Sequence, residues 1–144
     1  MERVFITILI ITLGQSVFSQ ERINDLSIEY EATSRGFYQK MKVSKKTFVY
    51  SEDIAGKKSN TVKISNKQWR EIVNLADKIK LKELSSLKAP SEKRKFDGAA
   101  FAKLKVFTND KEYVSSNFDH GNPPIEIKGL VENIIALSQL GKKD

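Results

Sequence analysis

The chain has a single histidine, His120, and it stands beside a carboxylate in residues 117–124 (NFDHGNPP). An imidazole next to Asp119 can serve as a base with an orienting carboxylate, or supply half of a metal site. The same residue types also build a rigid connector. In that reading Asp119 bonds turn amides, Gly121 takes an unusual φ, and Pro123 and Pro124 fix the entry to a helix. Turn chemistry explains more of these residues. Adjacent side chains rarely orient one another, and one His with one Asp is not a ligand set.

A second candidate is a charged loop over residues 88–98 (KAPSEKRKFDG). Lys88, Lys93, Arg94 and Lys95 can seat a phosphate or sulfate, although Glu92 and Asp97 interrupt the charge and such blocks are commonly solvated. The residues singled out for ligand binding are therefore Lys93, Arg94, Lys95, Asp97, Asp119 and His120, with no catalytic or metal-ligating assignment. Glu29 and Glu31 share one strand face and can chelate a cation, but alternation makes them a solvated face. Phe37, Tyr38, Phe48 and Tyr50 interleave with Lys40, Lys42, Lys45 and Lys46, a pattern suited to single strands or glycans. A core face backed by edge-protecting lysines accounts for it better.

The absent chemistry is also informative. With no cysteine among 144 residues, there is no disulfide, thiol nucleophile or cysteine-ligated metal. The chain holds no nucleophile elbow, phosphate-binding glycine loop, dinucleotide fingerprint or calcium-binding loop. No cofactor is expected, and catalysis is not the expected activity.

These residues need elements to position them. Val4 to Leu13 is an uncharged apolar run, preceded by Arg3 and followed by Val17 and Ser19. It is too short for a membrane-spanning helix, which needs about 20 residues. It fits an export signal covering residues 1–19, cleaved before Gln20, with residues 20–144 as a single domain and no membrane span after removal. Export, whether periplasmic or secreted, argues against genomic nucleic acid as a partner.

Leu26, Ile28, Tyr30 and Ala32 alternate with polar residues, which predicts a half-buried strand. Ser34-Arg35-Gly36 reads as a turn, and Phe37, Met41 and Val43 continue the alternation. Phe48 and Tyr50 belong to a third strand, Glu52–Asn60 reads as a mobile loop, and Thr61–Ile64 can form a fourth strand. Ser65 and Gln68 fit a capping box, with Ile64 and Trp69 as its hydrophobic staple, opening a helix with Ile72, Val73 and Ala76 inward. Ala100, Ala102, Leu104 and Val106 predict another inner strand face, and Tyr113–Phe118 its return. Asn122 is the expected cap of a last helix with Ile127, Leu130, Val131, Ile134 and Leu137 as its apolar stripe.

Strands grouped before each helix predict α+β: an antiparallel sheet of about five to six strands with two amphipathic helices on one face. Charge is unevenly spread. Residues 40–105 hold 18 of the 25 Lys+Arg and 7 of the 18 Asp+Glu, a basic middle between acidic ends.

Three stretches carry a resemblance: residues 28–38 (IEYEATSRGFY), 87–100 (LKAPSEKRKFDGAA) and 115–124 (SSNFDHGNPP). Together they resemble small exported bacterial proteins of unknown function, mostly Gram-negative. The resemblance implies export and a single domain, and no catalytic residue. The expected function is a non-enzymatic exported binding or interaction domain for a protein or an envelope component. One alternative is a binder of anionic envelope polymers through the basic middle. Another is a hydrolase or metal-dependent enzyme centred on Asp119 and His120.

Overall fold

The computed structural model describes residues 25–109 and 111–141. The expected export signal, residues 1–19, lies outside the described residues.

Tyr30 and its neighbours in β1 (Ser27–Ser34) form the middle of the sheet. β1 pairs antiparallel with β2 (Phe37–Ser44) on one side and β5 (Phe101–Thr108) on the other. β3 (Thr47–Ser51) and β4 (Ser59–Lys63) extend the sheet beyond β2. β6 (Lys111–Val114) and the two-residue β7 (Phe118–Asp119) both pair with β5. The order is β4-β3-β2-β1-β5-β6, with β7 a short addition to β5.

Period-two alternation decides which face is covered. Ile28, Tyr30 and Ala32 oppose Val43, Met41 and Gln39 in one direction, and Val106, Leu104 and Ala102 in the other. All of these except Gln39 are buried core residues. Over this face lie α1 (Asn66–Asp77) and α2 (Lys128–Gly141); α2 crosses β2, β3 and β4 and packs on α1. The expected stripe of α2 is buried along its length, from Leu130 through Val131 and Ile134 to Leu137. Each large side chain so buried is worth about 1.5–3 kcal/mol, enough to hold helices this short. The α+β architecture expected from the residue pattern is the one found.

The start of α1 also follows its residues. The Ser65 hydroxyl accepts the Gln68 N–H at 3.1 Å, and the Gln68 side chain accepts the Ser65 N–H at 2.8 Å. A 3₁₀ turn at Leu81–Ser86 follows, burying Leu84.

The other sheet face carries a charge ladder. Lys40 reaches Glu29 at 3.0 Å, Lys103 reaches Glu31 at 3.2 Å, and Lys105 reaches Glu112 at 3.5 Å. Glu29 and Glu31 on β1 are thus flanked by lysines from β2 and β5, and the acidic ends of the chain neutralise part of its basic middle.

Three expectations need correction. The strand expected over Tyr113–Phe118 is broken. The Ser115 hydroxyl accepts the Leu104 N–H at 2.9 Å and donates to the Ser116 carbonyl at 2.8 Å, which ends the ladder. The Ser116 N–H and hydroxyl then bond the carbonyls of Leu84 and Leu87, pulling the chain off the sheet. Asn122 does not cap α2, which starts at Lys128 after a 3₁₀ turn at Ile125–Ile127. Pro124 is extended at ψ 145°, delaying helix entry. Residues 88–98 contain a 3₁₀ turn, Lys93–Phe96, where a plain loop was expected.

Candidate functional site

The break after β6 lets β7 return to β5 with Phe118 opposite Ala102 and Asp119 opposite Phe101. Phe118 is buried with its ring 6.2 Å from that of Tyr30. From there Asp119 and His120 diverge.

Asp119 is only 2% exposed. Its carboxylate accepts the Ser91 hydroxyl at 2.5 Å, the Lys93 N–H at 2.8 Å, the Arg94 N–H at 3.0 Å and Arg94 Nη1 at 3.0 Å. It therefore satisfies two free backbone donors at the start of the Lys93–Phe96 turn, as an N-cap would, but from a distant segment. Arg94 Nη1 also donates to the Ser91 carbonyl at 2.7 Å, and Asn122 Nδ2 donates to the Ser91 hydroxyl at 2.7 Å. Burial alone would push the Asp119 carboxyl up. The Ser91 hydroxyl and the Arg94 and Lys93 donors outweigh it and hold the group well below the usual carboxylate range. A carboxyl so held stays ionised and is a poor proton donor.

His120 is fixed by a different set of partners. Its N–H donates to the Ala100 carbonyl at 2.9 Å. Its ring is half-buried, with the Phe37 ring 5.4 Å away and the Tyr30 ring 5.8 Å away. Nδ1 lies 2.7 Å from the Tyr30 hydroxyl. Gly121, at φ 79°, turns its N–H toward that hydroxyl. When the Tyr30 hydroxyl gives its proton to Nδ1, the neutral imidazole carries its own on Nε2. Burial pushes the Tyr30 phenol up to about 12 and lowers the His120 imidazole, so the neutral ring is favoured.

A groove of about 500 Å³ opens beside the imidazole, lined by Arg35, Phe37, Asp97, Ala99, Ala100 and His120 among others. Arg35 comes from the two-residue β1–β2 turn, which Gly36 closes at φ 77°. Asp97 ends the Lys93–Phe96 turn at φ 57°, a left-handed conformation that Asp tolerates better than most residues. A larger groove of about 1030 Å³ lies across the same turn, sharing Ser34 and Phe37 and bounded by Tyr38, Tyr50 and residues 52–60. That segment is held by Asp53, which accepts the Ala55 and Lys57 N–H groups at 3.0 Å each. Both concavities thus meet at the β1–β2 turn.

The structure brings Asp97 and His120 to one groove and directs Asp119 elsewhere, with no hydrogen bond between Asp119 and His120. Arg94 is committed to Asp119, and Lys95 pairs with Glu92 at 2.7 Å. Lys93 contributes its backbone to Asp119 while its side chain is exposed. Among the described residues, no three His, Asp or Glu side chains gather where they could hold a metal ion. No described helix is long and apolar enough to cross a membrane.

Ser91, Tyr30, Arg35 and Phe37 were not among the expected site residues. Tyr30 carried the clearest signal. A Tyr on the inward face of a strand needs a partner for its hydroxyl, so a polar group must approach that point in the core.

Comparison with known proteins finds no matching family model, no matching curated protein and no matching solved structure.

Proposed function

We propose that this chain is an exported binding domain, periplasmic or secreted, that engages an envelope component through the sheet end where the two grooves meet. One observation carries the reading: the candidate catalytic pair is divided between separate tasks. Asp119 is spent on Arg94 and the 91–94 backbone, while His120 is fixed by Tyr30 and faces a groove. A base needs its orienting carboxylate within hydrogen-bond reach, and here that carboxylate serves another segment. What remains at the surface is recognition chemistry: an aromatic ring, a small apolar floor, and a cation and an anion on rigid turns. Export is supported by the apolar run Val4–Leu13 and its small-residue boundary, and by the resemblance to exported bacterial proteins of unknown function.

The test has two arms. A fusion of residues 1–30 to a reporter active only outside the cytoplasm should be active, and an inactive fusion would refute export. Immobilised protein should retain an envelope component that an Ala99→Trp variant, with its groove filled, does not. Equal retention by both proteins would remove the groove from the binding surface, and turnover of a substrate by the pure protein would overturn the reading.

A further inference from the structure

We propose that the groove beside His120 takes a small zwitterion of amino-acid or dipeptide size, its carboxylate held by Arg35 and the His120 Nε2–H and its ammonium by Asp97. This rests on the binding reading above and specifies the ligand's chemistry.

The charge layout is the first ground. Arg35 and Asp97 line the same groove, yet they form no ion pair with each other or with another described residue. What sets the two apart is that opposite charges share one groove beside the imidazole, whereas the opposite charges of the sheet face and of Arg94–Asp119 are paired with each other. A lone anion in the groove would meet Asp97, and a lone cation would meet Arg35. A ligand bearing both charges meets complementary partners at each end.

The imidazole supplies the second ground. With Nδ1 occupied by the Tyr30 hydroxyl, Nε2–H is the donor left for the groove. A neutral ring fixed in this tautomer is a ready donor to a carboxylate, alongside the planar fork of Arg35. Between the charged groups lie Phe37, Ala99 and Ala100, suited to a short apolar side chain. The cavity volume of about 500 Å³ is of the size that binds small molecules.

Preorganisation is the third ground. Asp97 is held in its left-handed conformation at the end of a 3₁₀ turn, and that turn is itself tied to Asp119. Arg35 projects from a two-residue turn between paired strands. Side chains rooted on placed turns lose less entropy on binding than those on free loops.

The probe is alanyl-leucine, compared with its N-acetyl and C-amide forms, followed through the amide resonances of Ala99, Ala100 and His120. The free dipeptide should move these resonances saturably, and each blocked form should bind at least about tenfold more weakly, as expected for one lost charge-assisted contact. Asp97→Asn, which retains left-handed backbone tolerance, should erase the discrimination against the N-acetyl form. Arg35→Gln should shrink that against the amide, leaving the part the His120 Nε2–H supplies. Equal binding of all three forms, or no movement at these amides in millimolar dipeptide, would overturn the zwitterion. If the wild type alone still retains an envelope component that Ala99→Trp loses, the binding reading survives that failure; if retention is also absent, both fall.

Discussion

Asp119 and His120 are neighbours in sequence but belong to different regions of the molecule. Around Asp119 the donors and acceptors answer one another: a buried carboxylate, a guanidinium only 9% exposed, two backbone N–H groups and a serine hydroxyl. Around the groove, Arg35 and Asp97 are exposed and have no ion-pair partner among the described residues, and the imidazole has one nitrogen spare. The first region satisfies its own polar groups; the second leaves its own open, which is where the proposed partner would bind. The first also supports the second, because the turn that presents Asp97 is fastened by Asp119. Adjacent candidate residues can therefore serve opposite ends of one design, and their proximity in sequence says little about shared chemistry.

This contrast is most exposed to attack at Asp119. Replacing it with Ala leaves Arg94 buried without its counter-charge, which costs about 3–5 kcal/mol. Urea unfolding should register that loss, and a change below 1 kcal/mol would show the clamp to be unimportant. Dependence on pH is the next largest effect. His120 and Asp119 both have lower pKa values folded than unfolded, so the unfolded chain binds more protons and stability rises with pH. The His120 contribution is complete above its ordinary 6.5 and is lost as pH falls from there through the lowered folded value. The Asp119 contribution is complete above its ordinary 3.8 and is lost as pH falls through its own lowered value. Unfolding free energy measured against pH should show both stages, and His120→Gln should remove the upper one.

Smaller effects separate the regions further. Tyr30→Phe removes the hydroxyl that hydrogen-bonds Nδ1, costing about 1–2 kcal/mol. It should also raise the His120 pKa, since the neutral ring loses its donor; an unchanged titration would refute the tautomer assignment. Smallest of all, Arg35→Gln and Asp97→Asn should each alter stability by less than about 0.5 kcal/mol, as exposed unpaired groups do. A larger loss would mean that these charges belong to the fold.

The two-layer α+β arrangement was legible because Leu26, Ile28, Tyr30 and Ala32 alternate strictly and Leu130, Val131, Ile134 and Leu137 follow helical spacing. Local chemistry was legible where donor and acceptor lie close in sequence, as Ser65 and Gln68 do. The site was less legible because its contacts join distant segments. Arg94 reads as part of a solvated charge block and Asp119 as a partner of nearby turn amides, and only tertiary packing buries them together. Ser115 and Ser116 hid a strand break, because serine is compatible with a strand until a neighbouring backbone offers bonds. The basic middle looked like a face, but β1 runs between β2 and β5, so Glu29 and Glu31 meet its lysines. Arg35 and Phe37 entered the groove through the meeting of the β1–β2 turn with residues 97–100, which no local pattern encodes.

The separation of Asp119 from His120 is tested most directly by titrating the His120 imidazole by NMR in the wild type and in folded Asp119→Asn. A carboxylate committed to Arg94 should matter little to the ring, so the midpoint should remain below 6.5 and move by less than about half a pH unit. A fall of more than about one pH unit on removing the carboxylate would show the two coupled as a base and its orienting acid, contradicting the division of the molecule into clamp and groove.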